Sequence, residues 1–230
     1  MIDVHTHILF GVDDGAKTIE ESIKMIEKAR DLGVSHIVLT PHISNYRTYA
    51  SPKDLIIKHF EVLKEKVQDL GIQVALLLGA EIDCHDRIID TVQGGYTING
   101  SSFVLVDVSI READVSELIY DMKVSGYQTI IAHPERTNYL TFDDLRLLKK
   151  EGARFQISAN HLVGIGEKRA VKMARKMLKA GLVDCIASDA HSIKSILHFK
   201  EAYQYVDRKY GPHHAKRLFI ENPKKMIGVN

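Results

Sequence analysis

The chain has little cysteine, almost no net charge and no long apolar run, and each shortage narrows what it can be. Its two cysteines, Cys84 and Cys185, make neither a disulfide framework nor a zinc-ribbon spacing. A reducing, cytoplasmic setting is therefore expected. Lys and Arg number 31 against 30 Asp and Glu, a formal net charge of +1, so bulk electrostatics point to neither nucleic acid nor a membrane surface. No apolar stretch approaches the length of a bilayer span. There is no secretory apolar region, and His5 and His7 stand where a cleaved signal would lie, so the N-terminus is expected to be mature. No low-complexity linker interrupts the chain, which reads as one domain over 1–230. No glycine-rich fingerprint follows the first apolar run, which argues against an open dinucleotide-binding sheet.

What is present is alternation. Apolar, β-prone runs lie near 2–7, 35–40, 73–79, 103–108, 128–133, 154–158 and 184–188. Several are almost continuous, such as Ala75-Leu76-Leu77-Leu78 and Phe103-Val104-Leu105-Val106, the pattern of parallel strands covered on both faces. Helical patterns fill the gaps at 18–32, 51–70, 114–125, 141–151, 166–180, 194–208 and 212–220. Thr18 with a Glu three residues on is an N-terminal cap, and Gly33, Gly71, Gly126, Gly152 and Gly181 are stops. About seven β/α units in succession predict a parallel α/β fold closed, or nearly closed, into a TIM-like barrel. The chain of 230 residues is long enough for such a barrel as one unit.

Five short strings end these runs: Asp3-Val4-His5-Thr6-His7, Thr40-Pro41-His42, Gly79-Ala80-Glu81, His133-Pro134-Glu135-Arg136 and Ser188-Asp189-Ala190-His191. Asp107 ends the fourth run. In a parallel barrel the C-terminal strand ends share one rim, so imidazoles and carboxylates collect there, the donor set of divalent metals. His5 and His7, two apart on a strand, point the same way. Every run except the sixth delivers a ligand-type side chain. Singly, each histidine also reads as an ordinary hydrogen-bonded core residue, Asp107 as a turn residue and Asp189 as a helix cap. The remaining histidines read as structural or solvent-facing, His161 included, in a loop after the sixth strand.

These residues resemble the PHP family, the polymerase-and-histidinol-phosphatase phosphoesterases. More narrowly, "HTHILFGVDDGAK" at 5–17, "TPH" at 40–42, "HPER" at 133–136 and "ASDAH" at 187–191 are similar to the bacterial manganese-dependent protein-tyrosine phosphatases of capsule and exopolysaccharide clusters, in order and spacing over essentially the whole chain. The resemblance implies a distorted seven-unit barrel of the PHP type and three divalent ions, manganese first, with iron or zinc as alternatives. By position, one ion takes His5, His7, Glu81 and Asp189. A second shares Glu81 and takes Asp107 and His133. A third takes Asp14, His42 and His191. Two departures stand out: Asp107 replaces the expected Glu, and beyond Asp189-Ala190-His191 the segment 192–197 offers Lys194 where relatives carry Arg.

The implied reaction is hydrolysis of a phosphate monoester by hydroxide bridging metals about 3.5–4 Å apart, with Arg136 holding phosphoryl oxygens and Asp14 and His42 beside the reacting group. The alternative for Arg136 is a surface ion pair with Glu135 or a neighbour. Cysteine-based phosphatases need Cys and Arg flanking a five-residue loop, but Asp90 stands six past Cys84 and His191 six past Cys185. The implied partner is the phosphotyrosine-containing C-terminal tail of a bacterial tyrosine kinase; Tyr46, Arg47 and Tyr49 lie in the loop after His42, which reads either as a binding loop for that tail or as an ordinary surface loop. The basic residues of 166–180 read as a solvated face. Competing functions are a small-molecule phosphatase, such as a histidinol-phosphate hydrolase, and a non-catalytic binding module of the same fold.

Overall fold

The structure, a computed structural model, describes residues 1–48 and 50–229; Tyr49 lies outside the described residues. The chain alternates strand and helix, beginning with β1 (Ile2–Thr6) and α1 (Ile19–Asp31). The Thr18 hydroxyl caps α1 by accepting the Glu21 N–H. Then come β2 (His36–Leu39), β3 (His42–Ile43), α2 (Lys53–Asp69), β4 (Ala75–Leu78), β5 (Glu81–Asp83), α3 (Ile88–Gln93), β6 (Phe103–Asp107) and α4 (Val115–Val124). The second half runs β7 (Gln128–Ala132), α5 (Phe142–Glu151), β8 (Arg154–Ser158), α6 (Ala159–Val163), α7 (Lys168–Lys179), β9 (Cys185–Ala187), α8 (Ile193–Tyr210), α9 (Pro212–Lys216) and α10 (Asn222–Met226).

Seven runs were expected; nine strands form among the described residues, because the second and third runs are each followed by a further short strand. Thr40–Pro41 separates β2 from β3, and Gly79–Ala80 separates β4 from β5. Pro41 brings no N–H to a ladder. At Gly79 a Cβ would stand 3.0 Å from both Ile98 and Val38, so the backbone there runs tight against its neighbours. The strands pair in parallel in two sheets, β1-β2-β4 and β3-β5-β6-β7-β8-β9. Just past the sheet edges, Thr6 bridges Ala190 in parallel, the Asp189 N–H donates to the His5 carbonyl at 2.9 Å, and the His7 N–H donates to the Ala190 carbonyl at 3.0 Å.

The strands β1, β5, β6, β7, β8 and β9 bury both faces. Val104 and Val106 of β6, Ile131 of β7 and Ile186 of β9 pack in the large core with the helices. Their alternates Leu105, Ile130, Ala132, Cys185 and Ala187 join Ile2, Val4 and Val38 in a second cluster closed by Met226 and Ile227. That two-residue alternation sets the site. Glu81 and Asp83 on β5 lie in register with Leu105 and Asp107 on β6, so these acids share the face of the second cluster. Three short helices, α3, α6 and α10, were not anticipated; α6 holds His161, which the sequence assigned to a loop. Asp189 does not cap α8; Ser192 stands at that position.

Candidate metal centre

The backbone is shaped to turn these side chains inward. In an extended strand His133 would follow Ile131 to the helix side; instead it is left-handed (φ 30°, ψ 53°), and its Nε2 meets Glu81 Oε1 at 2.8 Å. Asp189 also has positive φ, 52°. Left-handed backbone at non-glycine residues is costly and gathers at functional sites. Gly15 is required for a different reason: a Cβ there would stand 1.8 Å from the His7 carbonyl oxygen, so the 13–15 loop lies directly on His7.

All nine residues expected to bind metal converge. Their ligand atoms fall into four groups, each within 4.8 Å: His7, Asp14, His42 and His191; His5, His7 and Glu81; His5, His133 and Asp189; and Glu81, Asp107 and His133. Asp189 Oδ1 also lies 3.5 Å from His5 Nε2 and 3.4 Å from His7 Nε2. The groups shift from expectation in two respects: His7 joins the Asp14–His42–His191 group, and Asp189 groups with His5 and His133 rather than with His5, His7 and Glu81. His5, His7, Glu81, Asp107, His133 and Asp189 are all buried, whereas the Asp14, His191 and Arg136 side chains are 40, 33 and 37% exposed and form the mouth.

The donor set fits divalent ions. His5 Nδ1 sits 2.8 Å from Gln156 Oε1 and His7 Nδ1 2.8 Å from Asp13 Oδ2. Both partners accept, so both protons belong on Nδ1 and both lone pairs on Nε2. Those two Nε2 atoms face each other at 3.1 Å, an arrangement that calls for a cation. His191 follows the same rule: Nδ1 lies 3.0 Å from the Asp189 carbonyl, and Nε2 lies 3.3 Å from Asp14 Oδ1. Glu81 Oε2 is buried with no well-formed hydrogen bond, although His5 Nε2, His7 Nε2 and His42 Nδ1 lie within 3.4, 3.4 and 2.8 Å.

The protonation equilibria register the same crowding. Burial pulls the His7 pKa down, but hydrogen bonds that the ring donates to the Asp13, Asp189 and Glu81 carboxylates outweigh it and leave it well above the ordinary value. Burial pushes Glu81 up, and the charges of His5 and His42 with hydrogen bonds from His133 and His42 leave it well below. Asp189, likewise raised by burial, is held well below by Arg136, His5 and His7. His191 is lowered, by burial and then by the charge of His7.

Arg136 pairs with Asp189 through Nη2, not with Glu135. The Glu135 carboxylate is buried, accepting the Ser158 N–H at 2.8 Å and lying 2.8 Å from His161 Nδ1. Arg47 turns inward from the rim loop, while Tyr46 is exposed beneath the Arg111 guanidinium. Sequence reasoning missed Asp13, Gln156, Asp83 and the inward Arg47. The sixth strand, read as contributing nothing, supplies Gln156. For Asp13 the signal lies in the 5–17 string that carries the resemblance; for Gln156, strand parity alone offers one.

The chain matches, over residues 1–228, the family described as capsular polysaccharide synthesis, CpsB/CapC. It is 31% identical over 239 residues to tyrosine-protein phosphatase CpsB of Streptococcus agalactiae serotype V, covering 99% of this chain and 98% of the relative. It is 35% identical over 199 residues to a putative tyrosine-protein phosphatase CapC of Staphylococcus aureus, covering 84% and 78%. Among solved structures it superposes, with a TM-score of 0.91 and 28% identity over 99% of this chain and 94% of the other, on one described with YwqE from Bacillus subtilis and CpsB from Streptococcus pneumoniae as unique metal-dependent tyrosine phosphatases. Fold and site together define a metal-dependent phosphatase. The chain belongs to the CpsB/CapC family of capsular polysaccharide synthesis proteins.

Proposed function

We propose that this protein is a metal-dependent protein-tyrosine phosphatase acting on the phosphotyrosine-bearing C-terminal tail of a bacterial tyrosine kinase that controls capsular or exopolysaccharide synthesis. The observation that carries the reading is the facing pair of His5 and His7 Nε2 atoms beside Glu81, with Arg136 at the mouth. Three divalent ions, manganese first and iron or zinc as alternatives, take the expected sets: His5, His7, Glu81 and Asp189; Glu81, Asp107 and His133; Asp14, His42 and His191. When bound, such ions polarise phosphoryl oxygens and make hydroxide available near neutral pH.

The chain's own residues do the rest. Asp13 and Gln156 hold the Nδ1 protons of His7 and His5, so the ligand lone pairs stay aimed inward. Arg136, anchored on Asp189 and partly exposed, reaches phosphoryl oxygens with its outer nitrogens and stabilises charge that develops on them. Asp14 and His42 border the same position. A tyrosyl leaving group has a conjugate-acid pKa near 10, far below that of an alkyl alcohol, so departure needs no dedicated general acid.

We further read the two sheets as one distorted barrel of seven β/α units within a single domain over 1–230, on the strength of the Thr6–Ala190 bridge and the continuation of β2 and β4 into β3 and β5. A cytoplasmic setting agrees with two free, buried cysteines; no helix among the described residues is long and apolar enough to cross a membrane. The test is a comparison of kcat/KM on a phosphotyrosine peptide and on histidinol phosphate with manganese-loaded protein. A strong preference for the peptide supports the reading, and the opposite preference makes the protein a small-molecule phosphatase. Metal-free protein that gains no activity and binds no metal is a non-catalytic module.

A further inference from the structure

We propose that Arg47 is a second phosphate-binding guanidinium of this site, held ready by Asp83 and Asp107; the inference rests on the phosphatase reading above. Its Nε donates to Asp83 Oδ2 at 3.0 Å, and Nη2 donates to Asp83 Oδ1 at 3.1 Å and to Asp107 Oδ2 at 2.8 Å. Nη1 lies 3.3 Å from His42 Nε2. The guanidinium thus touches a member of the Glu81–Asp107–His133 group and a member of the His7–Asp14–His42–His191 group, and it sits where the two meet.

Asp83 has no place in the metal groups among the described residues; its work is to fix Arg47. It is fully buried, and Ser44 Oγ, which donates to it, also accepts the Tyr46 and Arg47 N–H groups at 2.9 and 3.0 Å. One carboxylate therefore holds both the loop backbone and the Arg47 fork, a bidentate geometry that lysine cannot copy. Asp107 Oδ1 is meanwhile engaged by the Ser109 N–H and hydroxyl at 2.7 and 2.6 Å. Arg47 Nη1 also faces the imidazole lone pair of His42 Nε2. A cation held by the Asp14 group would take that lone pair, which would leave Nη1 to an anion at the same place. Arg136 reaches the cluster through Asp189, Arg47 through Asp107 and His42, so a phosphoryl group there meets two guanidiniums from different walls. Lys194, the cation offered after the last motif, is exposed and supplies no such contact.

The experiment uses Arg47→Gln and Arg47→Lys in the full chain loaded with manganese. Metal content is read by elemental analysis and orthophosphate affinity by calorimetry, which needs no turnover. The expected result is wild-type manganese content in both variants, with orthophosphate Kd weakened about tenfold or more in Arg47→Gln, the loss of one charge-assisted hydrogen bond, and less in Arg47→Lys. On a phosphotyrosine peptide KM rises with it. Asp83→Asn, which removes the carboxylate that holds the fork and leaves the Arg47 charge in place, weakens orthophosphate in the same direction. An unchanged orthophosphate Kd, or a loss of manganese that matches the loss of binding, overturns the proposal and leaves Arg47 as a counter-charge for two carboxylates. If wild-type protein binds orthophosphate yet spares the peptide, the phosphatase reading fails separately.

Discussion

Asp13 holds His7 from behind: Asp13 Oδ2 lies 2.8 Å from His7 Nδ1, while Asp13 Oδ1 accepts the Gly15 N–H at 2.9 Å. The carboxylate ties the ring that faces Glu81 and Asp189 to the loop that carries Asp14. It fixes the tautomer and makes Nε2 the better donor. Asp13→Ala, with no atom touching the metal position, should weaken manganese affinity by about 10–100-fold, measured by metal titration against a competing chelator. Affinity equal to wild type would reduce Asp13 to a loop fastener.

Gly15 makes a sharper test of the same loop. The clash of an added Cβ with the His7 carbonyl forces residues 13–15 outward, carrying Asp14 away from His42 and His191. Gly15→Ala should therefore retain ions in the Glu81–Asp107–His133 group and lose the one bound by Asp14. Elemental analysis should show about one ion fewer per chain than wild type, the third ion of the proposed three.

Acidity and stability are coupled in the metal-free protein. The His7 pKa is raised from its ordinary 6.5, so its contribution is complete below that value and lost as pH climbs through the raised one. The Glu81 pKa is lowered from 4.5, so its contribution is complete above that value and lost as pH falls through the lowered one. Chelator-treated protein should accordingly have its highest Tm between these two ordinary values and fall on both sides. Manganese should flatten the alkaline side, since a cation replaces the proton that His7 gives up. A scan of Tm against pH with and without manganese checks both signs.

Arg136 should matter to turnover more than to metal. Asp189 keeps His5 and His7 as neighbours when Arg136 is removed, so Arg136→Ala should hold wild-type manganese content. Its kcat on a phosphotyrosine peptide should drop by about 10²–10³, as for loss of one charge-stabilising donor. A drop confined to metal content would make Arg136 a support for Asp189 alone.

The parts of the site that follow strand periodicity were legible in the sequence, and the parts that depend on a local break were not. His5, His7, Glu81, Asp107 and Asp189 sit at strand ends, and their gathering follows from parallel alternation. The restarts after Thr40–Pro41 and Gly79–Ala80 carry no periodic signal, so two strands are read where four form. Arg47 lies on an irregular loop and could equally have pointed to solvent; its direction is set by Asp83, a buried acid 36 residues away. The Glu135–His161 contact was hidden for a similar reason, since the single-turn helix that places His161 is too short to show a period.

The most direct measurement is phosphate release from a phosphotyrosine peptide by metal-stripped protein, followed as manganese is added back, with Glu81→Gln in parallel. Glu81 is shared by His5, His7, His42 and His133, so its loss strikes the whole cluster. The account predicts no release without metal, release restored by manganese, and none from Glu81→Gln at any manganese concentration. Full activity in excess chelator, or undiminished activity in Glu81→Gln, would contradict it.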